Sequence, residues 1–329
     1  MIVVSKEETA PLRSGIIVID KPADWTSHDV VARVRKVLRE RRVGHTGTLD
    51  PFATGVLVVL VGQATRLSNF LVHVEKEYLA TIRLGFRTDT GDWTGIPIDT
   101  VSAPQLCRLH ELVKLAPEQL GVKLEEAFSS LRGQILQTPP MYSAKKIEGQ
   151  RLYKLARQGI VARRSPVAVN VQQLDLIDEN SPPFSPSLIE NRDGTYDFKV
   201  HVTCSAGTYI RTLAESIGER LGVGAHLAAL RRIRAGVFGI EGACRLDLLE
   251  DSYSLRNPDS ALEHLNSLDL TCADERRVRN GLPVRINHAT SWMDQEFIRL
   301  RVNQDSLLAI GIYIAEEALI RPRVVLASQ

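Results

Sequence analysis

One aspartate, Asp50, lies in a loop whose composition would hold a carboxylate in a fixed position. The loop from Gly44 to Pro51 reads GHTGTLDP, and its two glycines permit sharp backbone turns. Pro51 disfavours the helical conformation for the residue before it, so Asp50 should be extended and stiff. The apolar run Val56 to Val61 that follows predicts a buried strand. Such a carboxylate could act as a nucleophile, although an aspartate in a turn is also a common structural residue.

A second candidate is Arg211, at the end of the stretch CSAGTYIR that begins at Cys204. Its guanidinium could pair with an active-site carboxylate or a phosphate, or it could only bridge two structural elements. A phosphatase-type Cys-x5-Arg cradle is excluded, because six residues separate Cys204 from Arg211.

The eight histidines and four cysteines show no HxxxH, HExxH or CxxC spacing. The sequence also lacks GxxxxGK[ST], and no GxGxxG follows a strand, so it predicts neither a metal nor a nucleotide cofactor. His45 stands out because it shares the loop of Asp50, although a lone loop histidine is usually part of the polar surface.

Two segments, 33–42 and 142–164, concentrate lysine and arginine, and the second interleaves them with tyrosine. The net charge is only +2, so an RNA partner has to be argued from where these cations lie. Phosphate neutralisation and base stacking need this combination. For 33–42 the alternative is a solvated helix face.

The surrounding elements predict an α+β fold, since strands and helices alternate without a regular βαβ rhythm. Ser27 is predicted as the N-cap of a helix after a strand at 15–20. Beyond about residue 250, short strands and turns predict a small β domain. Other predicted strands are 78–84, 167–177, 197–204, 297–302, 307–314 and 324–326, and other predicted helices are 105–114, 118–131 and 208–221, the last ending at Gly222.

The ends of the chain and its composition indicate in which cellular compartment the protein should be found. Residues 1–13 are predicted to be a flexible leader without signal-peptide features, and no apolar run approaches the roughly 20 residues that span a bilayer. Unpaired cysteines suit a reducing compartment, so we expect a soluble, cytoplasmic protein with no membrane partner. The polar insertion at 179–196 is predicted to be an exposed loop of unassigned role.

Five stretches, in order from about residue 14 to 240, resemble the TruB family of bacterial transfer-RNA pseudouridine synthases. They are GIIVIDKPADWTSHDVV, VGHTGTLDPFATGVLVVLVGQATRL, KEYLATIRLGFRTDTGDWTG, QTPPMYSAKKIEGQRLYKLARQG and CSAGTYIRTLAESIGERLGVGAHLAALRRIRAGVF. One departure is Ala206, where the family often has a lysine, which puts an RNA contact from that position in doubt.

The resemblance implies an α+β pseudouridine-synthase fold at 14–250, with a mixed, mainly antiparallel sheet and flanking helices. Within it, a thumb at about 130–165 closes over the RNA, and a small β-rich PUA-like RNA-binding domain occupies 262–329. The implied reaction isomerises uridine 55 in the TΨC loop of tRNA by base flipping, Asp-dependent glycosidic bond cleavage and C–C rejoining. The implied enzyme needs no cofactor and no guide RNA, binds the T arm of tRNA and is expected to be a monomer.

The resemblance also implies roles for individual residues. Asp50 would be the catalytic carboxylate, paired with Arg211. The uracil would contact Tyr78, Tyr209 and Leu230, and His45 would hold the flipped nucleotides. RNA contacts would come from Lys21 beside the catalytic loop and from Lys145, Lys146 and Arg151 in the thumb.

Several alternatives remain open at this point. Asp50 could attack the sugar C1′, attack C6 of the base, or abstract a sugar proton. A non-catalytic RNA-binding or RNA-folding protein could keep the fold, although the retained Asp50, Tyr78 and Arg211 speak against it. A guide-dependent relative could share the core, but the long basic thumb matches the stand-alone type.

Overall fold

The computed structural model describes residues 14–98, 103–147, 149–177, 188–250, 253–287, 290–303 and 306–326. The predicted leader at 1–13 and residues 179–187 of the predicted insertion lie outside the described residues. Within the described ranges, no helix is long and apolar enough to cross a membrane.

Strands and helices follow one another along the whole described chain. The strands are β1 Gly15–Lys21, β2 Val43–His45, β3 Thr54–Val61, β4 Lys76–Leu84, β5 Gly133–Gln137, β6 Lys146–Ile147, β7 Gln150–Arg151, β8 Val167–Leu176, β9 Ile189–Glu190, β10 Tyr196–Cys204, β11 Ala225–Ala235, β12 Phe238–Gly239, β13 Cys244–Arg245, β14 Ser267–Asp269, β15 Val284–Arg285, β16 Phe297–Val302, β17 Ser306–Ile314 and β18 Leu319–Val325. The helices are α1 Ser27–Leu38, α2 Ser68–Leu71, α3 Ala103–Leu115, α4 Pro117–Ser129, α5 Leu152–Arg157, α6 Ile210–Leu221 and α7 Cys272–Arg279.

The main sheet has the strand order β13-β1-β3-β11-β4-β10-β8-β5, with β2, β9 and β12 paired at its sides. Its pairs are antiparallel except β1 with β13 and β3 with β11. The prediction of a mixed, mainly antiparallel sheet with flanking helices is therefore confirmed. Helices α3, α4 and α6 cover one face, where apolar side chains such as Phe128, Phe198 and Ile217 form the largest core cluster.

Helix α1 covers β1 and β3 with an apolar stripe of valine and leucine that the sequence periodicity predicts. Its N-cap is Thr26, and not Ser27 as predicted. The Thr26 hydroxyl accepts the backbone N–H of Asp29 at 3.1 Å, and the Asp29 carboxylate accepts that of Thr26 at 2.9 Å. This reciprocal pair gives two backbone donors at the start of the helix a side-chain acceptor and leaves the Ser27 hydroxyl for another contact.

Among the differences from the sequence prediction, two concern elements of the main sheet and its covering helices. Strand β11, in the middle of the main sheet, has no counterpart among the predicted strands. Helix α6 begins at Ile210, two residues later than predicted, because Thr208 folds back and its hydroxyl donates to the Ser205 carbonyl at 2.9 Å. Gly222 ends this helix in the left-handed conformation with φ 71°, as predicted.

A second sheet, in the order β14-β16-β17-β18-β15, follows the main one. It encloses its own apolar cluster, which includes Val278 of α7 and Leu300 of β16. Leu307 and Ile310 of β17 pack with the apolar residues of β1 and β3, which attaches this sheet to the main one. The predicted strands at 297–302 and 307–314 are present, whereas 324–326 only overlaps the end of β18. The domain limits at 250 and 262 stay a prediction.

Candidate active site

The loop of Asp50 connects β2 to β3 and is held from below by α1. The Ser27 hydroxyl accepts the backbone N–H of Leu49 at 2.9 Å and donates to its carbonyl at 3.2 Å. The backbone N–H of Ala53 donates to the Asp50 carbonyl at 3.1 Å. A buried hydroxyl at the first turn of the helix thus fixes the residue next to the aspartate.

Lys21 is fully buried, and its ammonium holds the same loop from the other side. It donates to the carbonyls of Pro22 at 2.8 Å, Trp25 at 2.7 Å and Pro51 at 3.0 Å. Burial lowers the pKa of Lys21 to about 8. The Lys21 side chain has no exposed surface here and all three ammonium hydrogens have acceptors, and its contact with RNA stays a prediction.

Arg232 is a buried structural cation that sequence reasoning did not single out. Its Nε donates to the Val56 carbonyl at 2.7 Å and its Nη2 to the Gly47 carbonyl at 3.1 Å. Gly55 is in the left-handed region with φ 99°, and a Cβ there would lie 2.1 Å from the Arg232 carbonyl oxygen. Position 55 therefore requires glycine for both its conformation and its space.

Arg211 and Asp50 form a bidentate ion pair at the base of α6. The distances are 3.0 Å from Nε to Oδ2 and 3.1 Å from Nη2 to Oδ1. The same guanidinium donates to the carbonyl of Thr90 at 2.9 Å and to the carbonyl of Tyr142 at 2.8 Å. Because Arg211 is buried and its donors are engaged on several sides, its orientation and that of the carboxylate are fixed together.

Asp92 is a second carboxylate beside this pair, and the sequence interpretation placed it only in a polar turn. One oxygen lies 3.6 Å from Nη1 of Arg211. The other accepts the Thr90 hydroxyl at 2.9 Å and the backbone N–H of Thr94 at 3.0 Å. Asp92 therefore stabilises the position of Arg211. The only feature of the sequence that pointed to Asp92 was the turn motif DTGDWTG.

The electrostatics of the site follow from burial. The Asp50 side chain is mostly buried, with 32% of its surface exposed. Burial raises the pKa of Asp50, and the positive charge of Arg211 opposes this shift. Burial, and after it the neighbouring His28, Arg232 and Arg151, lower the pKa of His45 to about 4, so its ring is neutral at pH 7. The His45 ring stacks edge-on against His28 with 5.6 Å between ring centres.

The predicted uracil contacts lie along one side of this pair. Tyr78 on β4 and Leu230 on β11 belong to the same apolar cluster as Leu49, next to Asp50 in sequence. Tyr209 is the N-cap residue of α6, two positions before Arg211. Tyr78 is close enough to Asp50 for the charge of the carboxylate to act on it, and Tyr209 lies on the turn that leads into Arg211.

The predicted thumb, about residues 130–165, contacts Arg211 through one carbonyl. Its central part contains the β6–β7 hairpin and α5, and the Tyr142 carbonyl is the acceptor that reaches Arg211. Lys146 and Arg151 lie opposite each other on the hairpin, where the Lys146 side chain is exposed. Arg151 and Arg157 flank the Tyr153 ring at 6.0 and 5.6 Å from its centre. The charge of Arg151 contributes to the lowered pKa of His45, so this segment places one of the predicted cations at the rim of the site.

Within the described residues, no group of three or more His, Cys, Asp or Glu side chains could hold a metal ion. The site combines an oriented carboxylate, an apolar wall with an aromatic ring, and a cationic rim. That arrangement can position an uncharged planar group against a nucleophile or base while the rim binds phosphates.

Two family models match adjoining parts of the chain. Residues 35–210 match the model of the TruB family pseudouridylate synthase N-terminal domain. Residues 211–269 match the model of the tRNA pseudouridylate synthase B C-terminal domain.

Several curated proteins with similar sequences bear the name tRNA pseudouridine synthase B. The protein of Mycobacteroides abscessus is 41% identical over 84% of this chain and 86% of its own length. That of Heliobacterium modesticaldum is 38% identical over 94% of this chain and 95% of its own. That of Geobacter sulfurreducens is 40% identical, with coverages of 89% and 91%.

Solved structures with a similar fold include a chain of a Cbf5-Nop10-Gar1 complex. Its TM-score is 0.64 at 26% identity, covering 95% of this chain and 85% of that one. A chain of an H/ACA RNP bound to a substrate RNA containing 2′-deoxyuridine gives a TM-score of 0.65 at 22% identity, with coverages of 98% and 92%.

Proposed function

This chain belongs to the TruB family of pseudouridylate synthases, and we propose that it converts uridine 55 in the TΨC loop of tRNA to pseudouridine. The observation that carries the proposal is the ion pair of Asp50 and Arg211 beside the apolar cluster that contains Tyr78 and Leu230. The name shared by its relatives, tRNA pseudouridine synthase B, supports tRNA as the substrate.

The reaction breaks the C1′–N1 bond and forms a C1′–C5 bond. The base loses its C5 proton to solvent and gains a proton on N1, so no electron acceptor is required. Asp50 is the group that acts on the sugar or on C6 of the base. Arg211 keeps that carboxylate ionised and oriented, against the burial that raises its pKa.

Base flipping brings the uracil to this carboxylate at a cost of a few kcal/mol for unstacking. In our proposal Tyr78 stacks on the uracil, while Leu230 and Tyr209 line its pocket. His45, with a pKa of about 4, contacts the flipped nucleotides as a neutral ring through hydrogen bonds and stacking. The apolar wall also keeps water away from the detached base.

RNA binding would rely on two further regions. Lys145, Lys146 and Arg151 of the thumb would contact phosphates of the T arm, and the second sheet, within the proposed PUA-like domain at 262–329, would add affinity for the rest of the tRNA. We propose that the cytoplasmic enzyme acts without guide RNA and as a monomer. The long basic thumb supports this stand-alone mode.

The experiment is a tritium-release assay on purified protein, because bond formation at C5 expels the hydrogen of that carbon. A tRNA transcript labelled with [5-³H]uridine should release one tritium per molecule, and a transcript with cytidine at position 55 should release none. Asp50→Asn should abolish release and preserve tRNA binding, whereas Asp24→Asn, an exposed neighbour on the adjoining loop, should behave as wild type. Release from the cytidine-55 transcript, or a strict requirement for added RNA, would contradict the proposal.

A further inference from the structure

The end of α1 carries a group of cations that the proposed reaction leaves without a role. We propose that Lys36, Arg39 and Arg41, called here the α1 basic patch, bind the phosphodiester backbone of the substrate RNA away from the catalytic pocket. The inference rests on the proposed function for the identity of the RNA.

The patch differs from its neighbours in having no carboxylate partner. Arg33 pairs with Glu250 at 3.1 Å, and Arg35 donates to the Val43 carbonyl at 2.8 Å. Glu40 is turned toward Arg42, whose backbone N–H it accepts at 2.8 Å. In the described part of the chain, the side chains of the α1 basic patch make no ion pair and are exposed. Three unneutralised cations within six residues form a local positive field on a nearly neutral protein.

The shape of the patch suits a phosphate. An open depression of about 680 Å³ is lined by Arg35, by the α1 basic patch, and by Ala32 and Glu40. The short side chain of Ala32 leaves room for an oxygen-rich group to approach between the longer cationic side chains. Arginine and lysine can then donate from several directions to one or more phosphates.

Stabilisation of the helix end does not explain all of these cations. A negative helix C-terminus attracts positive side chains in the last turn, which accounts for Lys36. Arg39, however, is the C-cap residue and has a left-handed backbone with φ 52°, where glycine is favoured. Arg41 lies beyond the helix. An arginine at a position that glycine would stabilise indicates a role for its side chain.

The position of the patch relative to Asp50 sets what it can reach. Helix α1 begins at Ser27, which holds Leu49 of the catalytic loop, and its twelve residues span about 18 Å. RNA bound by the α1 basic patch therefore lies about one helix length from the reacting nucleotide.

The test compares Lys36→Gln/Arg39→Gln/Arg41→Gln with a control of equal charge change. The control, Arg108→Gln/Arg192→Gln/Lys199→Gln, removes three exposed cations near the other end of the main sheet. Binding of full-length tRNA is measured between 50 and 200 mM salt. The slope of log affinity against log salt is negative. Its magnitude should decrease by about 2–3 for the patch variant, roughly one for each lost phosphate contact, and remain unchanged for the control.

Turnover separates this inference from the proposed function. At saturating tRNA the patch variant should form pseudouridine at the wild-type rate, because the pocket is untouched. A wild-type slope in the patch variant, or an equal decrease in the control, overturns the inference. Absence of pseudouridine with the wild-type protein would instead overturn the proposed function.

The variant Arg39→Gly distinguishes an RNA contact of Arg39 from a purely structural role. Glycine should raise the midpoint of thermal unfolding by about 2 °C, since it relieves the left-handed backbone. The same change should lower the salt slope for tRNA by about one. A more stable variant with unchanged tRNA affinity would exclude Arg39 from the RNA contact.

Discussion

The side-chain amide of Gln137 binds the backbone of Tyr209 through two hydrogen bonds, as a neighbouring strand would. Its oxygen accepts the Tyr209 N–H at 2.7 Å and its nitrogen donates to the Tyr209 carbonyl at 3.0 Å. Gln137 is the last residue of β5, where the central part of the thumb begins, and Tyr209 caps the helix that carries Arg211. One buried amide therefore connects the base of the thumb to the start of the catalytic helix.

Gln137→Leu should lower the free energy of unfolding by about 1–3 kcal/mol, because it leaves two backbone groups without partners. It should also reduce kcat more than it raises KM, since Tyr209 and Arg211 lose their support. Urea unfolding and steady-state kinetics measure the two effects. Gln134→Leu, on the exposed part of the same strand, is the control and should change neither. A loss of tRNA affinity at unchanged kcat would contradict this role.

Turnover should decrease at acid pH as the Asp50 carboxylate becomes protonated, which gives the pH profile an acid limb. Activity requires the ionised carboxylate, so it should rise with pH through a pKa above the usual aspartate value, because burial raises the pKa of Asp50. Arg211→Met removes the charge that opposes this shift, so the limb should move to higher pH and turnover should fall. Arg211→Lys keeps the charge and should keep the limb near its wild-type position. If Arg211→Met instead mainly lowers tRNA affinity, Arg211 is a phosphate contact.

Lys21 should make the stability of the protein depend on alkaline pH. Burial lowers its pKa to about 8 in the folded state, against about 10.4 in the unfolded chain. Between these values the unfolded state binds more protons, so the contribution of Lys21 to stability rises with pH by up to about 1.4 kcal/mol per unit. The difference in unfolding free energy between wild type and Lys21→Met should follow this slope. The same difference for Lys146→Met, an exposed lysine, should be flat from pH 8 to 10.

Neutralising Lys145, Lys146 and Arg151 together should weaken binding of an isolated T-arm stem-loop. Phosphate contacts release counterions, so the slope of log affinity against log salt should fall by about 2–3 relative to wild type. The control is again the Arg108, Arg192 and Lys199 triple variant. An unchanged slope would identify the thumb cations as a solvated face.

The parts that sequence could predict are those determined by local pattern. Helix α1 follows from its valine spacing, and the end of α6 follows from Gly222. Strand β11 escaped prediction because its register against β4 shifts twice, between Leu227 and Ala229 and between Arg232 and Arg234. Each irregularity changes which residues face the core, so the strand lacks the alternation that identifies strands.

Lys21 and Asp92 show why the site itself was only partly predictable. A lysine after a strand resembles a surface cation, and its burial depends on carbonyls from Pro22, Trp25 and Pro51 that converge only in the fold. Asp92 reaches Arg211 from a turn more than a hundred residues away. The pairing of Asp50 with Arg211 was expected from family resemblance alone, since nothing local connects the two.

The sharing of Arg211 between Asp50 and the Tyr142 carbonyl has a consequence for fidelity. Under the proposed function, a thumb that moves away to admit an RNA loop would take the Tyr142 carbonyl from the Arg211 guanidinium. The catalytic carboxylate would then be fully aligned only after the thumb returns over a loop that fits beneath it. We therefore expect an RNA that binds without allowing this closure to be rejected at the rate of reaction and not at the stage of binding. Such an enzyme would sample many RNAs loosely and still modify few.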